Sequence, residues 1–105
     1  MSERIARTWR GRTRVEDYDA YLTYLNDTGV ATLRATPGNE RVLILRRRDG
    51  DEAEFWVISL WRDMESIRAF AGDDPTRARY FPEDERFLLE MSPDVVHYEV
   101  AVDES

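Results

Sequence analysis

The chain has 105 residues, the size of one ordinary domain, so residues 1–105 are expected to form a single domain. It carries 15 arginines and 22 acidic residues for a formal net charge of −7 at pH 7, which argues against nucleic acid as a partner. The chain has neither cysteine nor lysine, which excludes thiolate chemistry, disulfides and Schiff-base catalysis.

The hydropathy pattern contains nothing typical of a membrane anchor. The longest apolar stretch runs from Phe55 to Trp61, far short of the roughly 20 residues that cross a bilayer. The N-terminal segment has basic residues but lacks the continuous apolar region of a secretory signal. We therefore expect a cytoplasmic protein that does not bind membranes, which agrees with the lack of cysteine.

The chain begins with a predicted strand followed by a helix. Ile5 to Arg10 alternates weakly between apolar and polar residues, and Gly11 to Arg14 is predicted as a turn. Val15 to Asp27 has apolar residues at spacings of three and four, which indicates a helix that Gly29 caps or interrupts. A further helical turn is predicted over Val30 to Arg34.

A β-hairpin is predicted in the middle of the chain. Pro37-Gly38-Asn39 has the composition of a turn, and two strands follow it, Arg41 to Arg48 and Ala53 to Arg62. Asp49-Gly50 lies between these strands and is typical of a tight hairpin turn.

The remainder of the chain predicts helices and a final strand. Asp63 suits the N-cap of a helix that carries Met64, Ile67, Phe70 and Ala71 and ends at Gly72. The other predicted elements are a helical turn at Asp74-Pro75, a helix from Pro82 through Phe87, Leu88 and Met91, and a strand from Asp94 to Val102.

In this order the elements predict an α+β, ferredoxin-like β-α-β-β-α-β fold, with a four-stranded antiparallel sheet and helices on one face. The hairpin strands, however, are apolar on both faces over Val42 to Leu45 and Phe55 to Ile58. The remaining chain is too short to cover the second face, and large apolar patches are rare on monomers. The sequence therefore predicts a homodimer in which a second copy provides the cover.

Several segments resemble the antibiotic biosynthesis monooxygenase (ABM) family of dimeric α/β-barrel proteins. They are Ile5-Ala6-Arg7-Thr8-Trp9, Pro37-Gly38-Asn39, Phe55 to Trp61 with Asp63 and the Met64 to Phe70 helix, and Val96-His97-Tyr98-Glu99-Val100. The resemblance implies a dimeric α/β barrel. The family includes oxygenases that need no metal or flavin, haem-degrading enzymes and many members of unknown role. Since these segments are patterns of packing, they bear more on the fold than on activity.

The resemblance also implies candidate site residues. In the haem-degrading relatives an asparagine, a tryptophan and a histidine surround the cofactor, and the matching positions here are Thr8, Trp61 and Tyr80. Without that histidine an iron has no evident axial ligand, which disfavours haem degradation. The cofactor-independent relatives use polar groups to help a bound phenol lose a proton and react with oxygen. The residues of suitable type are Arg79, Tyr80, Trp61 and His97.

These residues also have structural explanations. A structural hydrogen bond accounts for His97 on the last strand, although an ordinary pKa would let it act as a base. Burial in the core or an interface accounts for Trp9, Trp56 and Trp61. Glu83-Asp84-Glu85 follows a proline at a helix start, where negative charge is favourable without any ligand. A single histidine and the absence of nucleotide-binding motifs predict no metal, haem, flavin or nucleotide cofactor.

A ligand pocket is predicted beside Trp61. If Trp61 faces the helices, Val57 and Ser59 share its side of the strand because alternate residues point the same way. We expect Ala6 and Thr8 of the first strand on that side too. These small residues beside one large aromatic would leave space under the helices.

The segment from Asp74 to Phe81 is expected to roof this space and to bring Arg79 or Tyr80 over it. The opposite side of the third strand, with Trp56, Ile58 and Leu60, suits the dimer contact. An apolar pocket with a few convergent polar groups is typical of a small-molecule site.

Two functions remain open from the sequence. One is a cofactor-independent monooxygenase acting on a small aromatic, polyketide-like or quinol-like molecule. The other is a noncatalytic dimer of the same fold that binds a small molecule or serves in assembly.

Overall fold

The computed structural model describes residues 4–104 and contains a four-stranded antiparallel sheet in the order β2-β3-β1-β4, with helices on one face. The strands are β1 (Ile5–Arg14), β2 (Asn39–Asp49), β3 (Glu52–Trp61) and β4 (Val96–Glu99). The helices are α1 (Tyr18–Leu25), α2 (Ala31–Ala35), α3 (Met64–Ala71) and α4 (Asp84–Phe87). The predicted α+β ferredoxin-like fold is thus confirmed. Within the described residues, no helix combines the length and apolarity needed to cross a membrane.

The hairpin of β2 and β3 is confirmed, with its tight turn one residue later than predicted. Asp49 pairs with Glu52, so the two loop residues are Gly50 and Asp51. Gly50 has a φ of 66°, a backbone conformation that favours glycine at the first position of such a loop.

Strand β1 is longer than predicted. Gly11 to Arg14 continues the strand and pairs with Glu52 to Phe55 of β3, so the prediction of a turn there was wrong. The glycine and the charged residues that suggested a turn are accommodated because a neighbouring strand satisfies their backbone groups.

One nearly continuous helical segment connects β1 to β2. A 3-10 turn (Val15–Asp17) leads into α1, and a π-helical segment (Asn26–Val30), here called the wide turn, joins α1 to α2. Gly29 lies within the wide turn, so it interrupts the α-helical geometry without ending the helix. Hydroxyl groups of Thr28, Thr32 and Thr36 each donate to the carbonyl four residues earlier, at 2.7 to 2.9 Å.

Helix α3 has the predicted ends. The Asp63 carboxylate accepts a hydrogen bond from the Ser66 backbone N–H at 2.8 Å, which satisfies one free donor of the first turn. Gly72 follows the helix with a φ of 90°.

The chain between α3 and β4 is less regular than predicted. Asp74-Pro75 lies in a single turn and not a helix, and the helix predicted from Pro82 to Met91 is limited to α4. Leu88 leaves the helix because it forms a bridge with Thr13 at the end of β1. The last strand covers only Val96–Glu99 of the predicted Asp94 to Val102.

The helix-facing side of the sheet carries two clusters of buried apolar side chains. The first consists of Tyr21, Leu25, Ala53, Phe55, Phe87 and Leu88. The second consists of Leu33, Trp61, Ile67 and Phe70. Val57, on the middle of β3, packs against both clusters and marks the place where they meet.

The opposite side of the sheet, here called the outer face, is apolar and partly exposed. Its apolar residues include Leu43, Leu45, Trp56, Ile58, Leu60, Val96 and Tyr98, which the strand register places on one side. Leu45 is 47% exposed. The Trp56 indole N–H is buried and has no hydrogen-bond partner among residues 4–104. The Arg10 guanidinium lies 4.0 Å from the Trp56 ring centroid, but no helix formed by residues 4–104 packs on this face.

Candidate functional site

A cavity lies between the sheet and the helices, where the two apolar clusters meet. Space for the centres of water molecules amounts to about 70 Å³, and the cavity is partly open to solvent. This space is large enough to admit an aromatic ring. Its apolar walls are formed mainly by Leu25, Leu33, Val57, Phe70 and Val95.

Strand β1 contributes Trp9 to the cavity, and the absence of a side chain at Gly11 leaves the space that the Trp9 indole occupies. The Trp9 indole lies over Gly11, and a Cβ at that position would be 2.3 Å from the indole Cη2 atom. The indole N–H donates to the Tyr80 hydroxyl at 3.0 Å, and that hydroxyl donates to the Ser92 carbonyl at 2.6 Å. The rings of Trp9 and Tyr80 pack edge to face with centroids 6.1 Å apart. These contacts fix the Tyr80 ring at the cavity wall.

Strand β1 also contributes Arg7, which is 5% exposed. Its guanidinium donates to the carbonyls of Pro75 and, at 3.0 Å, Arg77, and it lies 5.6 Å from the centroid of the Phe70 ring. No carboxylate within residues 4–104 lies within 4.0 Å of it. Burial lowers the pKa of Arg7 to about 10, so the side chain remains charged at neutral pH.

A buried carboxylate, Asp84, lines the cavity as well. One of its oxygens accepts from the Tyr21 hydroxyl at 2.7 Å, and the other accepts from the Phe81 backbone N–H at 2.7 Å. Burial, and then the hydrogen bond to Asp84, raise the pKa of Tyr21 far above its ordinary value. Tyr21 is therefore a neutral donor that holds the carboxylate in place.

The structure brings four of the predicted site residues to the cavity. Val57, Ser59, Arg79 and Tyr80 all line it. The predicted roof over this space is also present, since Arg79, Tyr80 and Phe81 belong to the segment between α3 and α4. Arg79 is exposed and donates to the Phe70 carbonyl at 2.8 Å.

Two other predicted residues face the helices without lining the cavity. Trp61 is 0% exposed, packs against Phe70, and donates its indole N–H to the Ser59 hydroxyl at 2.8 Å, so the space beside it is filled. His97 pairs with Arg7 across β4 and β1, and its Nε2 lies 3.4 Å from the Arg7 Nη1. Burial, and then the charge of Arg7, lower the pKa of His97.

The expectation that Ala6 and Thr8 face the cavity was wrong. Thr8 pairs with Ile58 and Ala6 with Leu60, so both residues point to the outer face. The register turns Arg7 and Trp9 inward instead. The alternation of side chains along a strand could have predicted the inward position of Arg7. If the large apolar side chains of Ile5 and Trp9 are buried on the helix side, Arg7, which lies two residues from each, faces that side as well.

Asp84 was missed as a cavity residue for a different reason. The run Glu83-Asp84-Glu85 was explained by a favourable position at a helix start. Only the packing of α4 against Tyr21 distinguishes the buried Asp84 from its exposed neighbours.

The lining residues do not fit a haem. They include no histidine, cysteine or methionine, the side chains that most often ligate a haem iron. The hydroxyls of Tyr21 and Tyr80 already donate to Asp84 and Ser92. Elsewhere in the described part of the chain, no three histidine, aspartate or glutamate side chains are grouped so that they could hold a metal ion.

Comparison with solved structures identifies proteins of similar fold. A protein of unknown function from Nitrosomonas europaea is 15% identical, with a TM-score of 0.68 and coverage of 97% of this chain and 93% of that chain. A heme-degrading protein from Mycobacterium tuberculosis is also 15% identical, with a TM-score of 0.64 and coverage of 97% and 99%. A variant of SnoaB, a cofactor-independent oxygenase from Streptomyces nogalater, is 16% identical, with a TM-score of 0.63 and coverage of 97% for both chains.

No curated protein matches the sequence significantly. A family model described as antibiotic biosynthesis monooxygenase matches residues 10–78, which is more than half of the chain. That match begins within β1 and extends past α3, so it includes the cavity residues from Tyr21 to Phe70 but not Arg7, Trp9, Tyr80 or Asp84. The chain therefore belongs to the antibiotic biosynthesis monooxygenase family.

Proposed function

We propose that this protein is a cofactor-independent monooxygenase that oxidises a small, quinol-like aromatic molecule bound in the cavity. The observation that carries the proposal is the cavity itself: an apolar space for one ring, with Arg7, Tyr80 and Asp84 as polar groups at its wall. Such a composition is typical of small-molecule sites.

The reaction proposed here needs no external reductant. A phenol and O₂ give a quinone and water, and a quinol and O₂ give a hydroxyquinone and water: in each case the ring loses four electrons, one oxygen atom bonds to a ring carbon, and the other leaves as water. The reaction begins when the phenol transfers its proton to a base, because the electron-rich anion is what reduces O₂. The protein must therefore accept a proton and stabilise the anion that remains.

The cavity lining suggests how these tasks are divided. Asp84 is assigned as the proton acceptor, because it is the carboxylate in the lining and its oxygens each retain a free lone pair. Arg7 supplies positive charge for the anion. The Trp9 and Tyr80 rings position the substrate ring by edge and face contacts.

Oxygen uptake with a panel of simple phenols and hydroquinones tests this proposal. Wild type should consume one O₂ for each quinone formed. Asp84→Asn should lower the rate by roughly 10²-fold or more, as removal of a general base does. Asp74→Asn is the matched control, since Asp74 also accepts a backbone N–H and a hydroxyl, both from Thr76, but lies outside the cavity.

One observation favours the alternative, a noncatalytic binding protein. Trp61, the residue that matches the family pattern, is packed and its N–H is used by Ser59, so it has no surface for a substrate. Phenols that bind in the cavity but never cause oxygen uptake would establish this alternative.

We also propose that two copies pair through the outer face. The face is apolar, partly exposed and includes the unpaired Trp56 indole N–H, to which a second chain could offer an acceptor. Because successive side chains of a strand point to opposite sides of the sheet, this surface and the cavity lie on opposite sides. A dimer formed this way would leave both cavities on the helix sides of their sheets.

A further inference from the structure

Arg7 differs from most other arginines of the chain in how its charge is balanced. Arg4, Arg12, Arg46 and Arg47 each form an ion pair near the surface. Arg7 is buried, and the groups that accept its hydrogen bonds are neutral carbonyls. Carbonyl dipoles orient a guanidinium but do not neutralise it, and a buried charge is costly unless an anion accompanies it.

The other polar groups near Arg7 do not supply that anion. His97 is adjacent, but an imidazole is either neutral or positively charged and so does not balance the guanidinium. Of the charged residues in the cavity lining, Arg79 adds a second positive charge, and the Asp84 carboxylate is held by Tyr21 and Phe81. With Arg7, Arg79 and Asp84 as the charged groups of the lining, the cavity has a net charge of +1.

We propose that Arg7 is an anion receptor, and that the ligand of the cavity is a single aromatic ring bearing an anionic oxygen, either a carboxylate or a phenolate. This inference rests on the proposed function, which places an aromatic ring in the cavity and has Arg7 stabilise an anion formed during the reaction; it adds that the ligand already carries an anionic oxygen when it binds. The planar guanidinium has donors remaining after the two carbonyls are satisfied, since each guanidinium carries five N–H groups. It is thus able to donate to a ligand oxygen at the cavity wall.

The phenolate form of the proposal is tested with 4-nitrophenol, whose neutral and anionic forms differ in absorbance. An apolar cavity alone favours the neutral phenol, because burial penalises charge. A buried guanidinium reverses this preference. We expect bound 4-nitrophenol to ionise about one pH unit below the free compound, which corresponds to about tenfold tighter binding of the anion.

The carboxylate form is tested by titrating the same protein with benzoate and with benzamide, its neutral counterpart of similar shape. Benzoate should bind at least about tenfold more tightly if the receptor accepts carboxylates. Tighter binding of benzoate than of benzamide, with an unchanged pKa of bound 4-nitrophenol, identifies the carboxylate as the anion. A lowered pKa of bound 4-nitrophenol, with equal binding of benzoate and benzamide, identifies the phenolate.

Two substitutions locate the effect. Arg7→Lys retains a charge and should retain part of the anion preference, whereas Arg7→Gln retains hydrogen-bond donors without charge and should abolish it. If Arg7→Gln fails to fold, the pKa of 4-nitrophenol bound to the wild-type protein still tests the proposal, because that measurement compares the neutral and anionic forms of one ligand in one protein.

The outcomes separate this inference from the proposed function. Suppose that 4-methylphenol binds, that the pKa of bound 4-nitrophenol is higher than that of the free compound, and that benzoate binds no more tightly than benzamide. The anion receptor is then refuted and the aromatic site stands. If none of these rings binds, both proposals are wrong.

Discussion

Substitution of Gly11 by alanine tests how the cavity wall is built. Gly11 lies under the Trp9 indole on the same side of β1, and an added Cβ would be 2.3 and 2.6 Å from two indole atoms. Contacts this short do not occur, so the indole must move. The backbone at Gly11 has no positive φ, so alanine is otherwise compatible with the strand.

The cost can be worked out from the contacts of Trp9. A displaced indole loses its hydrogen bond to Tyr80, worth about 1 kcal/mol, and the edge-to-face contact, worth about 0.5–1.5 kcal/mol. Crowding adds about 1–3 kcal/mol, and the stiffer unfolded chain returns about 0.4–1 kcal/mol. We expect Gly11→Ala to lower the free energy of unfolding by about 1.5–5 kcal/mol.

Chemical denaturation followed by circular dichroism and tryptophan fluorescence measures this change. Gly29→Ala is the control, because a Cβ there meets no atom within 4 Å and the residue lies in a helical segment; it should stabilise by about 0.4–1 kcal/mol. In a Trp9→Leu background the clash with the indole is gone, so Gly11→Ala should cost much less. An equal cost in both backgrounds would refute this account of the clash.

Three further predictions concern the outer face, His97 and Tyr21. Leu45→Glu should abolish the dimer seen by light scattering, whereas Ala31→Glu, at an exposed position of α2 on the helix side of the sheet, should not; a wild-type monomer would contradict the pairing proposal. Because folding lowers the pKa of His97, its contribution to stability is complete above about pH 6.5 and is lost as pH falls through the folded-state pKa. His97→Gln should therefore show a shallower decline in unfolding free energy from about pH 7 to pH 5 than wild type. Parallel plots of unfolding free energy against pH for the two proteins would contradict this. Tyr21→Phe should destabilise by about 1–3 kcal/mol in the same denaturation assay because it leaves an Asp84 oxygen buried without its donor, and an unchanged midpoint would show that water replaces the hydroxyl.

The fold was predictable because its strongest signals are local. The apolar strand from Phe55 to Trp61, the glycine turn beside it and the Asp63 cap each specify their own element, and together they fix the order of strands. The face of β3 that meets the helices was also predicted correctly, since Trp61 and Ser59 point inward.

The cavity was less predictable because its key residues depend on contacts distant in sequence. Which side of β1 faces inward is decided by pairing with β3, and an arginine inside the protein is not what composition suggests. The roof has little regular structure and is held by such bonds as Ala78 N–H to the Pro93 carbonyl and Arg7 to the Arg77 carbonyl. No local pattern encodes these contacts.

The wide turn determines which side of α2 meets the sheet. Leu25 and Leu33 are eight residues apart, and in an α-helix that spacing would rotate them about 80° away from each other. A π-helical turn advances by roughly 82° per residue, so five such residues bring Leu33 back to within about 10° of Leu25. Removing one residue from Asn26–Val30 would leave Leu25 and Leu33 seven residues apart, a spacing that an ordinary α-helix keeps within about 20° of the same side. The π-helical geometry therefore accommodates one extra residue without changing the side that Leu33 faces, so one helical segment contributes both Leu25 and Leu33 to the same cavity.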